Sequence, residues 1–101
     1  MQKSVKNYDA AEAIKRSKTN NVLFLDVRTL RERNTYQISG SIHIPLHELK
    51  ERLNDLEKFK GKEIICYCHS GSRSLTAAAI LNKNGFRSAN LKGGIIEWNN
   101  K

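Results

Sequence analysis

The chain has 101 residues, and its 39% hydrophobic content can supply the modest core of a single domain and no second one. The formal charge is +8, yet the 18 Lys and Arg are scattered, aromatics are few and no nucleic-acid motif appears. This excludes nucleic acid as the expected partner and leaves small anions, an acidic protein or a plain solubility trait to account for the charge. No apolar run is long enough to span a membrane, and residues 1–6 lack the apolar stretch of a signal peptide. A cytoplasmic protein with no membrane partner is expected.

In chain order, Ser4 to Lys6 reads as a short first strand. Asn7 or Asp9 can cap a helix running to about Ser17, with Ala10, Ala13 and Ile14 on its inner side. Val22 to Val27 is an apolar run ending in a charged pair, the pattern of a buried parallel strand. Thr29 to Thr35 reads as a short helix, and Ile42 to Ile44 as a brief strand stopped by Pro45. Leu46, Leu49, Leu53 and Leu56 recur at helical spacing, and Glu48 can pair with Arg52 on the outer face.

Lys62 to Cys68 is the expected central strand. Ser72 to Asn84 is the following helix, closed by Gly85. Ser88 to Leu91 is the last strand, and Ile95 to Asn100 a terminal helical turn whose Trp98 packs against the body. Strands alternating with helices indicate an α/β fold with a mainly parallel central sheet and helices on both faces. Such sheets bind ligands beyond the carboxyl ends of their strands, where Cys68, Asp26 and Arg28 fall.

Two cysteines are too few for a disulfide scaffold. Cys66 and Cys68 share one strand face and stand near the upper limit for bridging. A metal site from Cys66, Cys68 and His69 lacks the usual Cys-x-x-Cys spacing and a second ligand pair, so no metal is expected. Cys66 reads as a small buried apolar residue. Cys68 is different, because it sits where a strand ends and a helix begins. Amides at a helix start lack intrahelical partners, and a turn containing Gly71 can fold them into an anion-holding nest. That setting favours the thiolate, which is the nucleophile, and Arg73 adds a permanent positive charge.

Cys68-His69-Ser70-Gly71-Ser72-Arg73-Ser74 resembles the active-site loop of rhodanese-type sulfurtransferases. Leu25-Asp26-Val27-Arg28 with Glu32 resembles that family's Asp-Val-Arg segment. Ile38 to Leu46 is similar to its glycine-rich stretch ending in Ile-Pro, and Leu91-Lys92-Gly93-Gly94 with Trp98 to its closing element. The four elements stand in the family's order and cover nearly the whole chain. Each alone is weak; together they are strongly specific.

The resemblance implies a single rhodanese-like domain over residues 1–101 and sulfur transfer through a Cys68 persulfide. The implied donor is thiosulfate or another small sulfane-sulfur anion. The acceptor is cyanide or a thiol, and no metal or organic cofactor is required. The amides of residues 69 to 73, from His69 through Ser70, Gly71 and Ser72 to Arg73, would stabilise the anionic sulfur. Arg73 is expected chiefly to pin the loop to a carboxylate, Asp26 or Glu32. Arg28 either touches the donor or forms a scaffold ion pair, and Asp26 is expected to organise the loop as an acceptor. Many family members carry a cation after the cysteine. Histidine, His69, stands here; it is expected either to donate to an anion when protonated or simply to point to solvent. Arg33, where an aromatic is common, and Gln37 and Ser39 are departures expected to alter packing away from the thiol. His43 and His47 are read as non-catalytic.

Three rival functions share these residues. Cysteine-dependent phosphatases and arsenate reductases also use a cysteine, an amide cradle and an arginine. Related phosphatases have one residue more between the two, a wider loop than the four residues separating Cys68 from Arg73. A non-catalytic binding module would usually lack the cysteine. A persulfide relay would keep the chemistry but dock an acidic or thioredoxin-like protein on the basic surface.

Overall fold

A computed structural model describes residues 5–99. Five parallel strands, β1 (Lys6–Tyr8), β2 (Val22–Asp26), β3 (Ile42–His43), β4 (Glu63–Tyr67) and β5 (Arg87–Leu91), form one sheet in the order β1-β5-β4-β2-β3. The α/β reading and the central place of β4 therefore hold. In β4 every residue is buried, the apolar run Ile64 to Tyr67 between two covered faces and Glu63 at its start.

Alternation along the strands divides the core in two. Leu23, Leu25 and Val27 lie with Ile64, Cys66 and Cys68 on one face. The helix α3 (Ser72–Lys83) and a helical segment Leu46–Phe59 cover them with Ala77, Ala78, Leu81, Leu49 and Leu56. Phe24, Ile65, Tyr67, Ala89 and Leu91 line the other face, under α1 (Ala10–Ser17) and α4 (Gly94–Asn99). Trp98 packs edge-on against Phe24, ring centres 5.2 Å apart.

Local signals set most boundaries. Asp9 caps α1 by accepting from the Glu12 amide at 2.8 Å. Thr29 and Glu32 form a reciprocal capping box at the start of α2 (Leu30–Thr35). Gly85 closes α3, with the Phe86 amide reaching back to the Leu81 carbonyl at 3.0 Å.

Two elements differ from the expectation. The first strand is Lys6–Tyr8 rather than Ser4–Lys6, because pairing with Ala89 to Leu91 selects its register and Tyr8 reaches the buried Glu63 at 2.6 Å. Ser4 and Asn100 lie outside the described residues. The Leu46–Phe59 segment is 3₁₀ rather than α-helical, interrupted at Arg52 with φ −116°. Glu48 and Arg52 still pair at 2.9 Å. Among the described residues no helix is long and apolar enough to cross a membrane.

Candidate active site

Cys68 follows β4 directly, at the carboxyl edge of the sheet and 1% exposed. Its sulfur accepts from the Gly71 amide at 3.1 Å and the Ser74 amide at 3.4 Å, and lies 3.3 Å from the Ser74 hydroxyl. The turn closes this tightly because Gly71 takes φ +114° immediately before α3, a conformation that a side chain disfavours. Burial pushes the Cys68 thiol up. The Ser74 hydroxyl and the amides of Ser74, Gly71 and Arg73 outweigh burial and hold it below the ordinary thiol range. Cys66, two residues earlier, shows the opposite outcome. Burial raises it to about 12, and the Ser88 hydroxyl offsets little of that. Both cysteines are free thiols.

The underside of the loop rests on α4. The amides of Ile95 and Ile96 bond the carbonyls of Cys68 and His69 at 2.9 and 3.3 Å. Gly94 makes this approach possible, since a Cβ on it would collide with the His69 carbonyl and lie 2.7 Å from that of Cys68. With those carbonyls drawn down toward α4, the chain turns through Ser70 and Gly71 back to the sulfur.

Arg73 is pinned by Glu32, not by Asp26. Its guanidinium makes two bonds to the Glu32 carboxylate, at 2.7 and 2.8 Å. The hydrogen bond from Arg73 comes first among the causes that lower Glu32 to about 2. Asp26 serves a separate cluster. It is fully buried and accepts from the Arg28 amide, the Arg28 side chain, Arg33 and the Tyr67 hydroxyl. Burial raises its carboxyl, and the Arg28 bonds reverse that to a net lowering.

Arg28 is 3% exposed, lies across the Tyr67 ring and also donates to the Tyr36 carbonyl at 2.5 Å, so it has the scaffold arrangement. Arg33 ties α2 to Ser41 through the hydroxyl and the carbonyl. His43 bonds the Arg28 carbonyl at 2.7 Å, and His47 is exposed beside Glu48.

His69, Ser70 and Ser72 have exposed side chains, and no hydrogen bond joins them to the sulfur. The sequence-based cradle of residues 69 to 73 is thus displaced toward the helix. The groups that hydrogen-bond the sulfur are those of Gly71 and Ser74. Ser74 was missed as a group facing sulfur, although it stands in the motif. Its place six residues past Cys68, in the first turn of the helix, was the available signal. Asn90 was missed as well. It is buried in β5 and accepts from Ser74 at 2.5 Å.

The family model for rhodanese-like domains matches residues 9–101. The chain belongs to the rhodanese-like domain family. An Allochromatium vinosum sulfurtransferase is 37% identical over 79% of this chain and 74% of its own length. YrkF of Bacillus subtilis, named as a candidate sulfur carrier protein, is 41% identical over 76% of this chain, which spans only 41% of that relative. Among solved structures, a rhodanese-related protein from Thermoplasma volcanium matches with a TM-score of 0.86 and 32% identity. The match covers 94% of this chain and 91% of that one. The α/β sheet is thus a rhodanese-like fold, and these relatives support sulfur transfer of the rhodanese type.

Proposed function

We propose that this rhodanese-like domain carries sulfane sulfur on Cys68. The Cys68 thiolate attacks the outer sulfur of thiosulfate or a persulfide donor. A new S–S bond forms as the donor's own sulfur–sulfur bond breaks, and sulfite or a thiolate leaves with the electron pair. Cyanide or an acceptor thiol then attacks the terminal sulfur, releasing thiocyanate or a new persulfide and restoring the Cys68 thiolate. The observation that carries this reading is the single sulfur held by the Gly71 and Ser74 amides and the Ser74 hydroxyl. These donors favour an anionic sulfur in both halves of the cycle.

The loop from His69 to Arg73 is the proposed donor-binding element, with Asp26 and Arg28 as its support. A protein acceptor of acidic or thioredoxin-like character fits the +8 charge, and a cytoplasmic setting suits free thiols.

The test is the intact mass of the protein before and after thiosulfate or an organic persulfide, then after cyanide, beside Cys68→Ser. Gain of one sulfur atom, its loss with release of thiocyanate, and silence in the variant are expected. No gain from either donor would overturn the proposal.

A further inference from the structure

Ser74 has one hydroxyl proton, and two buried neighbours compete for it. Its oxygen is 3.3 Å from the Cys68 sulfur and 2.5 Å from Asn90 Oδ1. Ser74 is fully buried and Asn90 is 4% exposed, so water does not settle the competition. With the Asn90 oxygen turned toward Ser74, the hydroxyl donates to Asn90. Ser74 can then only accept from sulfur, an arrangement that suits a Cys68 S–H.

A thiolate or a persulfide anion has no proton to give and needs the hydroxyl to donate. Ser74 can do so without losing its second bond if the Asn90 carboxamide turns over and offers its NH₂. The two ends of a carboxamide are nearly the same size, so the turn needs no extra space. Asn90 Nδ2 already bonds Asn7 Oδ1 at 2.9 Å, and Asn7 is exposed. Its own amide can turn in water to answer the change.

We propose that Ser74, Asn90 and Asn7 form a reversible hydrogen-bond chain in which the orientation of the Asn90 amide aims the Ser74 proton at or away from the Cys68 sulfur. Asn90 is a positioning residue that acts through Ser74. Ser74 itself touches the reacting atom. The chain lets one buried site accommodate both the resting thiol and the anionic sulfur with every polar group paired, which a fixed donor would not. Cys68 standing below the ordinary thiol range, partly through Ser74, accords with this. The inference rests on Cys68 being the sulfur carrier, but its test requires no sulfur transfer.

Charged or titratable groups on the surrounding elements are Arg73 and Lys83 on α3, Glu63, Cys66 and Tyr67 on β4, Arg87 on β5 with Lys92 after it, Lys6 and Tyr8 on β1, Arg31, Glu32 and Arg33 on α2, Glu97 on α4 and His69 in the loop. None is altered below, so their contribution is common to all the proteins compared. In the wild-type protein, the side-chain amide resonances of Asn90 and Asn7 are followed by NMR across the pH midpoint of Cys68 alkylation. Both are expected to move with that midpoint, and the Asn90 response is expected to collapse in Ser74→Ala.

Asn90→Asp replaces the reversible amide with a carboxylate that holds the Ser74 proton. It is expected to raise the alkylation midpoint by roughly one pH unit, the effect of losing a hydrogen bond to a charged group. In a Ser74→Ala background the same change should add little. Asn90 resonances that stay still, or that move equally without Ser74, would overturn the proposal. So would an Asn90→Asp shift that persists without Ser74, since the charge would then act on sulfur directly. If Asn90→Asp does not fold, the wild-type titration decides alone. Sulfur loading of Cys68 with an immobile Asn90 would sink only this inference. A responsive Asn90 with no sulfur loading would sink the proposed function and leave the Ser74–Asn90 chain standing for the thiol and thiolate of Cys68 alone.

Discussion

Glu32→Gln removes one charge from the pair that fixes Arg73, and its cost can be worked from the structure. Glu32 falls from 4.5 to about 2, and at about 1.36 kcal/mol per unit that shift corresponds to an upper bound of about 3.4 kcal/mol. The Arg73 and Glu32 side chains are 36% and 30% exposed, so solvent screening brings the expected loss down to about 1–2 kcal/mol at neutral pH. For a domain of this size that is a fall in Tm of roughly 5–10 °C.

The sign with pH follows from a folded-state carboxyl lying below its unfolded value. The stabilisation is complete above the unfolded value of 4.5 and is lost as pH falls toward about 2. The gap between wild type and Glu32→Gln should therefore shrink to less than half its neutral value by about pH 3. Urea unfolding followed by Trp98 fluorescence, at a series of pH values and with the m-value checked for constancy, measures this gap. Because Arg73 stands in the loop between Gly71 and Ser74, whose amides hold the sulfur, the Cys68 alkylation midpoint should rise in the same variant. A gap that is absent at neutral pH, or the same at both ends of the range, would refute the reasoning.

Three further outcomes are expected. Iodoacetamide should label the folded protein once, at Cys68, with a midpoint below the ordinary thiol range, while Cys66 at about 12 stays silent until denaturation; double labelling of native protein by mass spectrometry would contradict this. Asp26→Asn leaves the cations of Arg28 and Arg33 beside a neutral buried amide and should cost about 3–5 kcal/mol in denaturant unfolding; a cost under about 1 kcal/mol would show that the cluster is dispensable. Gly94→Ala should destabilise more than Gly40→Ala. Both glycines have positive φ, +64° and +81°, but only the Gly94 Cβ meets the Cys68 and His69 carbonyls. Backbone strain of about 1–3 kcal/mol is common to both, so equal losses in thermal melts would show that the carbonyls yield.

Much of this architecture was legible in the sequence. The β/α alternation, the Asp9 and Thr29 caps, the Gly85 stop and the position of Cys68 at a strand end are local signals. The Arg73–Glu32 pair was one of two named alternatives, and the geometry chose between them. What stayed hidden depends on tertiary pairing. The first strand is placed by Ala89 to Leu91, far away in sequence. The leucine spacing of residues 46 to 56 suits either helical form, and the break at Arg52 is a backbone event with no residue signature. Asn90 looks like any polar residue in a strand until β5 is laid beside β4, where Cys66 faces it. Arg28 could not be assigned from its neighbours in sequence, because Tyr67 and the Tyr36 carbonyl, which enclose it, come from elsewhere.

The support that α4 gives the loop has a consequence during synthesis. The carbonyls of Cys68 and His69 are held by the amides of Ile95 and Ile96, and β1 waits for β5 to pair at all. A growing chain emerges from the ribosome N-terminus first. Cys68 therefore appears well before the residues that brace its loop. Until Gly94 to Ile96 arrive, Cys68 is an unbraced thiol in a half-made sheet. The loop that carries Cys68 is therefore braced from below only once the final turn of the described chain is in place, although the Gly71 and Ser74 groups that surround the sulfur are made earlier.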